Sequence, residues 1–254
     1  GAPVIKNGEI TGATVTGILL SDPAAGTTIE GNSFSGISSA GVRVVTGSPH
    51  ITDNSFIGPC GSAIQVGSSA TPVLSGNTGS GYNHQIALDS PRSTPWTLTK
   101  QAFPYVRSGG SLAIDPGVTL TIDPGVVVKF ATYSATFAVN GTLISNGTST
   151  QPVVFTSIKD DAHGGDTNND GDATSPSARN WNRVLLGAAS SGSRLTHTKV
   201  LYAGYHGDGG IEIAGSSPVL DAVTVADCSL YGIQVDSGAP VIKNGEITGA
   251  TVTG

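Results

Sequence analysis

The 254-residue chain has no methionine, two cysteines and two tryptophans, and only 12% of it is charged. Without a methionine, Gly1 is not a natural start, so the sequence reads as part of a larger precursor. Cys60 and Cys228 are too few for a disulfide framework. No apolar run approaches the roughly 20 residues of a membrane-spanning helix, and the N-terminus has neither the basic region nor the apolar core of a signal peptide. Against 18 Asp and Glu, the 12 Lys and Arg are scattered from Lys6 to Lys243 and leave a net charge of −6. No basic stripe is available to neutralise phosphates, so nucleic acid is not an expected partner. Disorder is excluded by 37% hydrophobic residues, and long helices by 36 Gly and 14 Pro. What remains is an all-β chain rich in tight turns.

What is present is repetition on two scales. Residues 1–17, GAPVIKNGEITGATVTG, recur without change at 238–254, an offset of 237. Chance does not produce this; it points to a tandem array with a 237-residue period, an engineered duplication being the other source. The shorter period is near 22 residues. Gly17-Ile18-Leu19-Leu20, Gly41-Val42-Arg43-Val44, Ala63-Ile64-Gln65-Val66, Gln85-Ile86-Ala87-Leu88, Gly210-Ile211-Glu212-Ile213 and Gly232-Ile233-Gln234-Val235 share one pattern. A small or polar residue is followed by apolar, any and apolar, which is the alternation of a strand with one buried face. A second strand recurs as Thr28-Ile29 to Phe34, His50-Ile51 to Phe56 and Val73-Leu74 to Thr78. A unit this short cannot bury a face alone, so units must stack. Stacking superposes Asn32, Asn54 and Asn77 into an amide ladder and places Phe34 on Phe56 inside.

These units, over residues 1–90 and about 194–254, resemble the parallel β-helix repeats of pectate-lyase-like and many bacterial surface proteins. The resemblance implies an all-β, right-handed parallel β-helix solenoid with coils of about 22 residues. Ten such coils per period would make about 50 Å of rod. Residues 91–110, with Pro91, Pro95, Trp96 and Pro104, break the register and read as an inter-module junction. Residues 1–90 are then the C-terminal coils of one module, and 111–254 the N-terminal and middle coils of the next. Beyond the junction, Asp115-Pro116-Gly117 and Asp123-Pro124-Gly125 are turns closing successive strands. Val126 to Phe130 and Val153 to Ser157 are similar to the opening coils of secreted bacterial β-helix proteins, which run on into an acidic loop. Asn140-Gly-Thr and Asn146-Gly-Thr match glycosylation sequons, although turn chemistry explains them as well.

Chemistry concentrates in one place. Between positions 160 and 172 stand Asp160, Asp161, Asp166, Asp170 and Asp172, in a chain that is otherwise sparing with charge. Packed carboxylates repel unless a cation joins them. Asp166, Asn168, Asp170 and Gly171 match positions 1, 3, 5 and 6 of a calcium loop, and Asp172 could add its carbonyl at position 7. Ser177 stands where a bidentate Glu belongs, so a further ligand must come from outside the motif, from Asp160 or Asp161. Calcium is therefore the expected cofactor, with a plain solvated acidic loop as the alternative.

A polysaccharide-cleaving β-helix enzyme is the rival class, but Asp160-Asp161 is the one adjacent acidic pair and lies in the metal loop. His50, His84, His197 and His206 fall on different coils with no carboxylate partner evident in sequence. Tyr202, Tyr205 and Tyr231 keep carbohydrate binding open. In an array, Cys228 lies 69 residues from the next Cys60, about three coils or 14 Å, too far for a disulfide. Two unpaired, buried thiols are expected. The tandem repeat and the absence of a polar capping helix at either end point to a structural module of a long fibre, stalk or adhesin shaft, and the resemblance implies an extracellular or bacterial cell-surface setting. Its partners would be identical modules end to end, other chains of the fibre, and glycans. A carbohydrate-binding or polysaccharide-degrading module is the alternative.

Overall fold

The structure, a computed structural model, describes residues 1–58, 61–80 and 85–250. Among the described residues the elements are 29 short strands, stacked in parallel as a β-helix solenoid with turns of about 24 residues. The ladder gives the coil length directly. Val4 pairs with Thr28, Thr28 with His50 and His50 with Val73, offsets of 24, 22 and 23. The strands have three to five residues, and many are closed by a corner in left-handed backbone, supplied by residues such as Asn7 (φ 53°), Asp53 (φ 56°), Gly31 (φ 66°) and Gly36 (φ 60°).

Two coil plans share one molecule. In the first four coils the chain visits three walls in turn. Wall A holds Val4–Lys6, Thr28–Glu30, His50–Thr52 and Val73–Ser75; wall B holds Glu9–Thr11, Ser33–Ser35, Ser55–Ile57 and Thr78–Ser80. Wall C begins with Thr16–Leu20, Ala40–Val44, Ser62–Val66 and Ile86–Leu88. It then continues through Tyr105–Arg107, Val127–Phe130, Val153–Ser157, Thr198–Leu201, Thr224–Ala226 and Glu246–Thr248 to make ten strands. From Trp96–Leu98 onward the other walls are new. Wall D has six strands, from Trp96–Leu98 to Val241–Lys243, and wall E has five, from Leu112–Ile114 to Ile233–Ser237.

The change of plan falls within residues 91–110, where the register break was read. Wall B has ended, and the chain runs straight from Leu98 to wall C, so Ile86 pairs with Tyr105 at an offset of only 19. Wall E is opened by the bridge between Arg92 and Ile114. This corrects one equivalence drawn from the sequence. Gly210-Ile211-Glu212-Ile213 and Gly232-Ile233-Gln234-Val235 do not continue the wall of Gly17, Gly41, Ala63 and Gln85; they lie in wall E. Alternation reports which residues face inward but carries no label for the wall they face inward from. The coil count also changes. Nine coils separate the two copies of the repeated segment, so a 237-residue period rises about 43 Å at the spacing of paired strands.

Inside, the expected ladders form. Asn32, Asn54 and Asn77 are buried at the corner between walls A and B. Asn32 Nδ2 donates to Asn54 Oδ1 and Asn54 Nδ2 to Asn77 Oδ1, both at 3.1 Å. Each amide also serves the backbone: Asn54 Nδ2 donates to the carbonyls of Ile29 and Thr52, and its Oδ1 accepts the Asn32 N–H at 3.0 Å. In the next coil Gln101 Nε2 donates to the Leu74 carbonyl, closing the ladder where the plan changes. Phe34 and Phe56 stack with ring centroids 4.8 Å apart, and Phe103 of the junction meets Phe56 edge-on. Cys228 is a buried free thiol, its pKa pushed up to about 11 by burial, while Cys60 lies outside the described residues.

Candidate functional site

The acidic segment forms a long excursion between walls C and E, from the end of Val153–Ser157 to the start of Arg183–Leu186. Its base is fixed first. Lys129, fully buried on wall C, sends its ammonium out to the loop and donates to the carbonyls of Asp160 (2.9 Å) and Gly165 (2.7 Å) and to Thr167 Oγ1 (2.8 Å). Burial lowers the Lys129 pKa to about 8 against the opposing pull of Asp160, Asp161 and Asp166. On the return side Trp181 is buried, stacks on Phe130 with centroids 4.4 Å apart, and donates Nε1–H to the Leu201 carbonyl. Asn180 Oδ1 accepts from Ser157 Oγ and from the Ser177 N–H, tying the two ends of the excursion together.

Against this base the structure sorts the aspartates. Asp160 belongs to the framework: its Oδ2 accepts from Thr156 Oγ1 at 2.6 Å and lies 2.8 Å from His163 Nδ1. Burial pushes its pKa up, but the hydrogen bonds from His163 and Thr156 and the nearby cations outweigh burial and hold it below the ordinary value. Asp161, Asp166 and Asp170 instead converge, each offering an oxygen within 4.8 Å of the other two. Burial and then the charge of Asp166 raise the pKa of Asp161, with Asp170 adding to this and Lys129 opposing. Asp172 is exposed and outside this group of three.

The turn that gathers them is the one implied by the half motif. Asp166 Oδ1 accepts the Asp170 N–H at 3.2 Å and its Oδ2 the Gly171 N–H at 2.9 Å, with Gly171 at φ 60°. Asn168 Nδ2 donates to Asp170 Oδ2 at 2.6 Å, and Thr174 Oγ1 donates to the same oxygen. Three oxygens in this knot are buried and have no hydrogen-bond partner: Asp161 Oδ1, Asn168 Oδ1 and Asp170 Oδ1. Buried oxygen acceptors left unpaired beside mutually repelling carboxylates are groups of the kind that could coordinate a hard cation. Asp166, Asn168 and Asp170 thus come together as the spacing implied, and Asp161, not Asp160, is the residue from outside the motif that joins them. Spacing gave no sign of Lys129, His163 or Trp181, which reach the loop from other coils or stabilise its base.

The aromatic and histidine candidates are dispersed. Tyr133 and Tyr205 stack in the open with centroids 5.4 Å apart, His206 lies against Tyr205, and the Lys159 ammonium stands 5.8 Å from the Tyr133 ring. Tyr231 is exposed elsewhere, His50 sits on wall A, His197 (φ 41°) forms the corner between walls D and C, and His84 lies outside the described residues. At the sequons, a Cβ on Gly141 would come within 2.3 Å of the Asp115 and Val118 carbonyls, which explains that glycine by close approach of coils. No helix among the described residues is long and apolar enough to cross a membrane. No family of proteins, no curated protein and no solved structure matches the chain.

Proposed function

We propose that the chain is a structural module of a long extracellular or bacterial cell-surface rod, stiffened in each period by calcium held in the 158–182 excursion. The observation that carries this reading is wall C. Ten strands and the core behind them pass through the change of coil plan without interruption, so the two halves form one mechanical body instead of two beads on a linker. Electron microscopy of the native polypeptide tests it: the expected result is a filament with an axial repeat of about 43 Å. A compact particle of one period would overturn it.

For the cation, Asp161, Asp166 and Asp170 would supply carboxylate oxygens and Asn168 its side-chain carbonyl. Calcium would neutralise the repulsion that raises the Asp161 pKa and clip a 25-residue excursion whose closure otherwise rests on Lys129, Asn180 and Trp181. Titration calorimetry with calcium should give binding heat, and a chelator should lower the melting temperature. Silence in both removes the metal from the proposal.

A second reading, glycan binding, is favoured by one feature, the exposed Tyr133–Tyr205 stack flanked by Lys159 and His206. A polysaccharide array on which Tyr205→Ala loses binding would support it.

A further inference from the structure

The two copies of the 17-residue segment lie at opposite ends of the stack and take the same backbone form. Val4–Lys6 matches Val241–Lys243 and Glu9–Thr11 matches Glu246–Thr248. Asn7 (φ 53°) matches Asn244 (φ 54°), and Gly12 (φ 67°) matches Gly249 (φ 64°). They differ in which side is covered. The first copy pairs only with the coil after it, Ile5 opposite Ile29 and Ile10 opposite Phe34. The second, among the described residues, pairs only with the coil before it, Ile242 opposite Leu220 and Ile247 opposite Val225.

Their hydrogen bonds use different groups. Toward the following coil, Asn7 and Gly12 donate N–H to Glu30 and Ser35, and the carbonyls of Pro3 and Gly8 accept from Thr28 and Ser33. Toward the preceding coil, the N–H groups of Val241 and Glu246 donate to Pro218 and Val223, and the carbonyls of Lys243 and Thr248 accept from Ala222 and Asp227. Translated to one copy, the second set is residues 4, 9, 6 and 11, none of which is in the first set of 7, 12, 3 and 8. A single coil of this sequence can therefore satisfy both neighbours at once, as the interior of a parallel sheet requires. The side chains agree. Lys6 is 2.8 Å from Glu30 and Lys243 is 3.1 Å from Asp221, so one lysine would stand between two acids. The apolar columns Leu220–Ile242 and Ile5–Ile29 would become one, covering isoleucines that are now 44% and 36% exposed.

We propose that this segment is one shared coil, through which a second copy of the chain continues the stack with no linker. The proposal rests on the rod reading and adds the geometry of the joint. Wall D of one copy becomes wall A of the next, and wall C becomes wall B. The strand after the shared coil, the equivalent of Thr16–Leu20, then stacks on Ile233–Ser237, so wall E becomes wall C. The likeness of Gly232-Ile233-Gln234-Val235 to Gly17-Ile18-Leu19-Leu20, misplaced within one chain, is then correct across two. All three walls cross the joint, whereas at residues 91–110 wall C alone continues as a sheet from one coil plan to the other.

The test compares the 254-residue chain with a two-period chain in which residues 18–254 follow once more, by amide exchange and X-ray scattering. In the single chain the Asn244 and Gly249 amides should exchange freely. In the two-period chain they should slow to the rates of Asp53 and Gly58, which hold the same places in an interior coil and donate to Ser75 and Ser80. Scattering should show one straight rod longer by about 43 Å. Free exchange at Asn244 and Gly249, two rods about a hinge, or failure of the longer chain to fold where the shorter one does would each overturn the joint. A hinged two-period chain would still leave the 43 Å filament repeat to judge the rod reading separately.

Discussion

At the residue scale, the most consequential side chains are polar groups made obligatory by burial. The Asn54 side chain makes five hydrogen bonds to four residues at a fully buried corner. Asn54→Ala should cost about 2–4 kcal/mol, from lost bonds and from the Asn32 N–H and Ile29 carbonyl left unsatisfied. Denaturant midpoints would measure this, and a loss below about 1 kcal/mol would show that the ladder only decorates the corner. Lys129 makes a claim about pH. Its ammonium titrates near 8 in the folded chain and near 10.5 when unfolded. Between those values the unfolded chain binds more protons, so the Lys129 contribution to unfolding free energy rises with pH across that window. In the presence of chelator, Lys129→Met should flatten this rise relative to the parent chain. Curves that run parallel from pH 7.5 to 10 would contradict the assignment.

At the element scale, the acidic excursion shows what a linear sequence can and cannot display. Asp166, Asn168, Asp170 and Gly171 were legible because they make one local turn, whose chemistry is set by spacing alone. Asp161 was legible only as one of two candidates, since the choice between it and Asp160 depends on Thr156 and His163 claiming Asp160. Lys129 was not legible, because the contact joins residues 31 to 38 positions apart across the coil surface. The Asn and Phe ladders could be read because identical residues recur at 22 and 23 positions, whereas wall membership could not, because the alternation is the same on every wall. Asp170→Asn keeps the size of the side chain and one acceptor oxygen while replacing the other with an amide donor and removing one charge from the three-acid group. It should weaken calcium-dependent stabilisation at least tenfold in affinity, read as a smaller rise in melting temperature on adding calcium. Asp172→Asn, which lies outside the group, should leave that rise intact. Equal effects from both variants would return the loop to a merely acidic surface.

At the scale of the whole molecule, the solenoid is a one-dimensional stack whose cooperativity depends on its weakest interface. Within the chain that interface is at residues 91–110, where wall B stops, walls D and E begin, and wall C alone continues. Arg92 compensates. Its backbone pairs forward, donating to the Ala113 carbonyl and accepting from the Asp115 N–H. Its guanidinium reaches back to the carbonyls of Gly67 and Ala70 and lies against the Trp96 ring, 5.0 Å from the centroid. Burial lowers its pKa to about 10, so it remains charged at neutral pH and must keep those acceptors. One buried residue thereby ties the last coils of the first plan to the first coils of the second. Arg92→Ala should loosen the tie by about 3–5 kcal/mol and separate the unfolding of residues 1–90 from that of 111–254. Arg92→Lys should restore little, since an ammonium cannot fork to two carbonyls while lying flat on an indole. Scanning calorimetry should show one transition in the parent chain and two in the alanine variant. A single transition that merely shifts downward would mean that wall C alone couples the halves.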